Sequence, residues 1–184
     1  MHRPVSKRAH WLVLAAVLGG VLSAPAQTAN PLSAEVKWMY GTIKNNLLKL
    51  AEKMPADNYS FRPTPEVETF GRRIAHIADA NMNVCAGLNG ERKSFGAASK
   101  IFKAELLAAL KESFAYCDGV FDSLTDANAR EMVSSRLGGP FPPEPTRSRL
   151  ATLYNLVRHS NEMYGYMAVY LRLKGVVPPT SAPE

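Results

Sequence analysis

The sequence predicts an all-α domain, a four-helix bundle in which helices 2 and 3 run parallel and are joined by a crossover. Three observations predict it. Apolar residues recur at helical spacing in four segments; convincing alternating strands are absent; and two cysteines lie at matching heights only if two consecutive helices point the same way. The nearest approach to a strand, EMVSSRL (Glu131 to Leu137), sits in a connection.

The chain begins with an address. Arg3, Lys7 and Arg8 form a basic start, WLVLAAVLGGVL is an apolar run too short to span a bilayer, and APA (Ala24 to Ala26) supplies small residues at cleavage spacing. Residues 1–26 therefore read as a secretory signal peptide, with an uncleaved anchor as the alternative, and 27–184 as one domain. Export to the periplasm or the medium is expected. No later stretch is long and apolar enough to be a span, so no membrane attachment is expected after cleavage. Three of the 22 basic side chains and none of the 16 acidic ones fall in the leader, which lowers the net charge from +6 to +3. The remaining basic residues are scattered and do not alternate with aromatics, which argues against a nucleic-acid partner.

Helix 1, Asn30 to Met54, carries the stripe Leu32, Val36, Met39, Ile43, Leu47, Leu50 and Met54, with Asn30 as N-cap, Pro31 at the first helical position and Pro55 as the stop. Helix 2, Thr69 to about Leu88, aligns Phe70, Ile74, Ile77, Val84 and Leu88 behind a Thr69 cap. Helix 3, about Lys103 to Leu124, carries Leu106, Leu107, Leu110, Phe114, Cys117 and Phe121. Helix 4, about Thr146 to Lys174, carries Leu150, Leu153, Tyr154, Val157, Tyr164, Ala168 and Leu171, and Gly175 is its expected left-handed terminator.

Cys85 and Cys117 stand about equally far into helices 2 and 3, roughly 21–24 Å along each axis. Parallel helices would bring them within bridging distance; an antiparallel hairpin would not. The linker of about Asn89 to Phe102 reaches roughly 45 Å extended, enough to run back along a helix. A disulfide is expected, two unpaired core thiols being the alternative. The connection between helices 3 and 4 is also long and contains GGPFPPEP.

Few side chains suggest chemistry. His76 lies at the edge of helix 2's apolar stripe, where it faces water or a second neighbour, and Asp79 reads as a surface acid or a partner for an imidazole. His159 sits off the main stripe of helix 4, in a second seam formed by Leu156, Met163, Met167 and Tyr170; a helix apolar over so wide an arc is buried on more than one side. The series His159, Met163, Met167 offers soft donors to Cu(I), against plain packing of methionines. There is no glycine-rich phosphate loop, nucleophile-elbow serine, HExxH or CxxCH.

YSFRPTPEVETFGRRIAHIADAN (Tyr59 to Asn81), LKESFAYCD (Leu110 to Asp118) and HSNEMYGYMAVYLRLKGVVPP (His159 to Pro179) together resemble the DinB-like family, also described as DinB/YfiT-like metalloenzymes. The resemblance implies a four-helix bundle with parallel helices 2 and 3. It also implies a divalent metal, zinc or nickel, held by one histidine of helix 2 and two histidines four apart on helix 4. These positions fall on His76, His159 and Met163, so the third ligand is missing; Glu162 is the nearest substitute, about 100° round the helix. Some members are thiol transferases or thiol-dependent isomerases whose metal activates a small thiol as thiolate. The resemblance thus implies a metal-dependent transferase with a weakened site and a small-molecule partner such as a thiol. The alternatives are a non-catalytic binding module and a soft-metal or haem carrier using His159 and Met163. A homodimer is an open alternative, for no residue marks a pairing face.

Overall fold

The computed structural model describes residues 29–133 and 147–181. The leader 1–26 and GGPFPPEP lie outside the described residues. Helix α1 spans Pro31–Lys53, α2 Phe70–Leu88, α3 Lys103–Asp122 and α4 Arg149–Leu173. Among the described residues the only strands are two-residue pieces, Met132–Val133 and Arg147–Ser148, paired antiparallel where the chain leaves α3 and enters α4.

Cross-helix contacts give the directions. Lys37 donates to the Asp122 carbonyl, Lys44 pairs with Asp118 at 2.6 Å and Lys111 with Glu52 at 2.8 Å, so α1 and α3 are antiparallel. Between α2 and α3 the matches ascend together: Gly71 lies against Leu106, Asn81 donates to Ser113, and Cys85 bridges Cys117. These two helices are parallel, as expected, and the Cα atoms of the disulfide are 5.4 Å apart. Tyr170 bonds the Glu68 carbonyl while the His76 and His159 rings meet, so α4 runs against α2 and alongside α1. The bundle is up-down-down-up.

Local sequence explains three of the helix ends. Thr69 Oγ1 accepts from the Arg72 N–H and Ser148 Oγ from the Ala151 N–H, each satisfying a donor with no partner inside its helix. α4 ends in a Schellman arrangement: Val176 N–H bonds the Leu171 carbonyl, Gly175 N–H bonds Arg172, and Gly175 takes φ +70°. The α1 start differs from expectation. Asn30 does not cap its own helix; its Oδ1 accepts from Asp126 N–H at 2.9 Å. The Asp126 carboxylate in turn accepts from Ser33 N–H at 2.8 Å, Ser33 Oγ at 2.6 Å and Leu32 N–H at 3.3 Å. A residue past the end of α3 thus caps α1, and the capping pair is reciprocal across more than 90 residues.

The core holds Leu47, Leu50, Phe70, Ile74, Leu110, Phe114, Phe121 and Leu153, each contributing roughly 1.5–3 kcal/mol through burial. The α1 stripe is corrected at two positions. Leu32 is exposed and Ser33 turns inward to Asp126; Tyr40, not Met39, is the deeply buried residue, stacked on Phe121 and bonded to the Phe114 carbonyl and Asp118. On α4 the second seam (Leu156, Met163, Met167, Tyr170) is buried throughout, whereas Tyr154 of the first is exposed.

The crossover returns along α2. Asp79 accepts from Ala97 and Ala98 N–H, and Arg72 donates to the Ala98 carbonyl. Asp79 therefore holds the crossover and is engaged away from His76. At the other end of the site, Phe70 and Gly71 donate to the Phe61 and Tyr59 carbonyls. A Cβ on Gly71 would lie 3.1 Å from both the Tyr59 oxygen and Leu106 Cδ1, so a larger residue would push these neighbours back by a few tenths of an ångström.

Candidate functional site

Because α2 and α4 are antiparallel, a step back along α2 matches a step forward along α4. His76 faces His159, with ring centroids 5.0 Å apart and planes at 78°. One turn earlier on α2, Arg73 faces Met163, one turn later on α4, with Nη1 3.8 Å from the sulfur. The next rung is Tyr170, whose hydroxyl accepts from Arg73 Nε at 3.2 Å and donates to the Glu68 carbonyl at 2.8 Å. The Arg73 guanidinium also lies 5.0 Å from the Tyr166 ring centroid and 5.9 Å from that of Tyr170. Glu68, Arg72, Arg73, His76 and Met163 line a cleft of about 210 Å³ beside these rungs.

The two histidines brought together from distant segments differ in environment. His76 is exposed and His159 half-buried. Burial holds the His159 imidazole below the ordinary histidine range; His76 pushes the same way, Glu162 opposes, and Arg158 adds a smaller downward push. Glu162 is exposed and engaged on its own helix, accepting from the Tyr166 hydroxyl at 3.1 Å and lying 3.5 Å from Arg158 Nη1.

Among the described residues, no three of His, Cys, Asp and Glu are grouped to hold a metal ion. Two imidazoles, a neutral thioether and a guanidinium do not fit a firmly held zinc or nickel ion, which takes anionic or nitrogen donors and is repelled by a fixed cation. Arg73 is the residue that the reading of single side chains missed. Its signal was present in GRRIAH: three residues before His76, it shares that helix face.

An up-down-down-up bundle with two histidines meeting between α2 and α4 defines the class. The sequence profile of the DinB superfamily matches residues 40–167, and the chain belongs to that superfamily. In fold it is similar to a DinB-like protein from Bacillus cereus (TM-score 0.63, 17% identity, covering 79% of this chain and 95% of that one). It is also similar to a conserved protein from Enterococcus faecalis (TM-score 0.59, 12% identity, covering 77% and 95%). No curated protein matches.

Proposed function

We propose that this protein is an exported DinB-like binding module whose two-histidine centre no longer holds a divalent metal firmly and no longer supports the metal-dependent thiol transfer that its resemblance implies. The observation that carries the reading is the Arg73 guanidinium against the Met163 sulfur, where a third imidazole would stand. A dication there would lose a ligand and face a positive charge within a few ångströms. The Cys85–Cys117 bridge, buried between α2 and α3, supports the exported half of the reading, since such bonds persist in oxidising compartments.

Elemental analysis of protein expressed with zinc and nickel in excess tests the proposal, together with a zinc titration and a thiol-conjugation assay. Substoichiometric, readily chelated metal and no metal-dependent conjugation are expected. One firmly held zinc or nickel per chain, with conjugation that chelation abolishes, would overturn it. A Soret band after haem-replete expression would instead favour the haem-carrier alternative through His159 and Met163.

A further inference from the structure

The cations of the cleft are unequally satisfied. Arg72 is tied down: its Nε lies 3.6 Å from Glu68 and its Nη1 donates to the Ala98 carbonyl of the crossover. Arg73 is partly buried and, among the described residues, pairs with no carboxylate; its partners there are a phenol oxygen, a thioether sulfur and two aromatic rings. A thioether is a weak acceptor at 3.8 Å, and among the described residues Arg73 makes side-chain hydrogen bonds only through Nε and Nη1. The two tyrosine rings and the Tyr170 bond nonetheless fix the guanidinium in place, so little further ordering is needed when its Nη edge meets a ligand.

We propose that this cleft binds a small organic carboxylate, whose oxygens take the Nη edge of Arg73 while the Met163 thioether receives its apolar part. The inference rests on the metal-poor reading of the site above. One guanidinium edge matches the planar carboxylate with two parallel N–H···O bonds. Glu68 lies 3.6 Å from Arg72, which leaves Arg73 as the cleft cation without a carboxylate partner among the described residues. His76, lining the same cleft, offers an imidazole N–H to the bound anion. The cleft's 210 Å³ lies below the roughly 300 Å³ at which pockets for drug-sized ligands begin, which suits a small acid. Its Met163 wall favours an acid with an apolar body over inorganic phosphate.

Calorimetric titration of the full-length mature protein, stripped of metal by a chelator, tests this with benzoate, the neutral isostere benzamide and inorganic phosphate as probes. Saturable one-to-one benzoate binding is expected, with benzamide and phosphate much weaker. Arg73→Met, which keeps an unbranched apolar stem, should weaken benzoate by roughly ten- to hundredfold, as loss of a charge-assisted pair of hydrogen bonds does. Arg73→Lys should fall between, since it keeps the charge and loses the fork. Equal binding of benzoate and benzamide, tighter binding of phosphate, or benzoate affinity unchanged in Arg73→Met would each overturn the proposal. The first two comparisons need only wild-type protein, so they hold if the variants fail to fold. Firm zinc binding by untreated protein would defeat the metal-poor reading separately, because the benzoate titration uses stripped protein.

Discussion

Replacing Met163 by histidine puts a third imidazole one turn from His159 and completes the nitrogen set that the superfamily resemblance implies. Structural zinc binds four ligands with about 10–16 kcal/mol, so a third nitrogen adds on the order of 3–4 kcal/mol where geometry is preformed. Arg73 opposes that gain. Its Nη1 is 3.8 Å from the Met163 sulfur, so a bound ion would lie close to the guanidinium. Two unit charges about 4 Å apart repel by roughly 4 kcal/mol at the effective dielectric of a protein surface, and a dication by about twice that. A ligand at position 163 draws the ion from the His76–His159 pair toward that charge, and even with a guanidinium that swings partly aside the added repulsion cancels most of the gain. Met163→His alone should therefore strengthen zinc binding by no more than about tenfold. Met163→His with Arg73→Met should strengthen it by about 10²–10³-fold and raise the melting temperature only when zinc is present. Adding His76→Ala to that pair should abolish both effects. The assay is a calorimetric zinc titration paired with thermal unfolding. Equal affinities in the single and double variants would refute the role given to Arg73, and no gain in either would show that the imidazoles cannot share an ion.

Other outcomes test the scaffold. The Cys85–Cys117 bridge closes a loop of 32 residues, so replacing both cysteines by alanine should remove about 3.7 kcal/mol on the chain-entropy relation. That corresponds to a fall of roughly 7–15 °C in melting temperature, read by thermal unfolding. Hydrogen bonds from Ser33 hold the Asp126 carboxyl below the usual carboxylate range. Its contribution to stability is then complete above about pH 4, the unfolded value, and is lost as pH falls through the lower folded value. Amide exchange at Leu32 and Ser33 should accelerate over that acid range in wild type and be fast at neutral pH in Asp126→Ala. Tyr40→Phe, which removes bonds to the Phe114 carbonyl and Asp118, should destabilise by about 1 kcal/mol in denaturant unfolding.

The sequence by itself determined the four helices, most of their ends, the bundle class and the parallel course of helices 2 and 3. Those features are written in local patterns: 3.6-residue periodicity, Thr69 as a cap, Gly175 as a terminator, and equal cysteine heights on α2 and α3. Pattern also marked the two imidazoles, and it placed Met163 where the resemblance implies a ligand. Only the tertiary structure decided how these residues meet. Asn30 has a good cap's composition, yet its side chain serves Asp126 and Asp126 serves α1, because a backbone donor bonds whichever acceptor the packing brings near. Asp79 lies one turn from His76 but is drawn to the crossover by the Ala97 and Ala98 amides. Arg73 opposes Met163 through the antiparallel registration of α2 and α4, a relation between residues 90 apart in sequence that no local pattern records. The character of the site rests on that pairing: side-chain type is set residue by residue, but whether a cation, an imidazole or water faces a given position is set by which helices pack together and in what register.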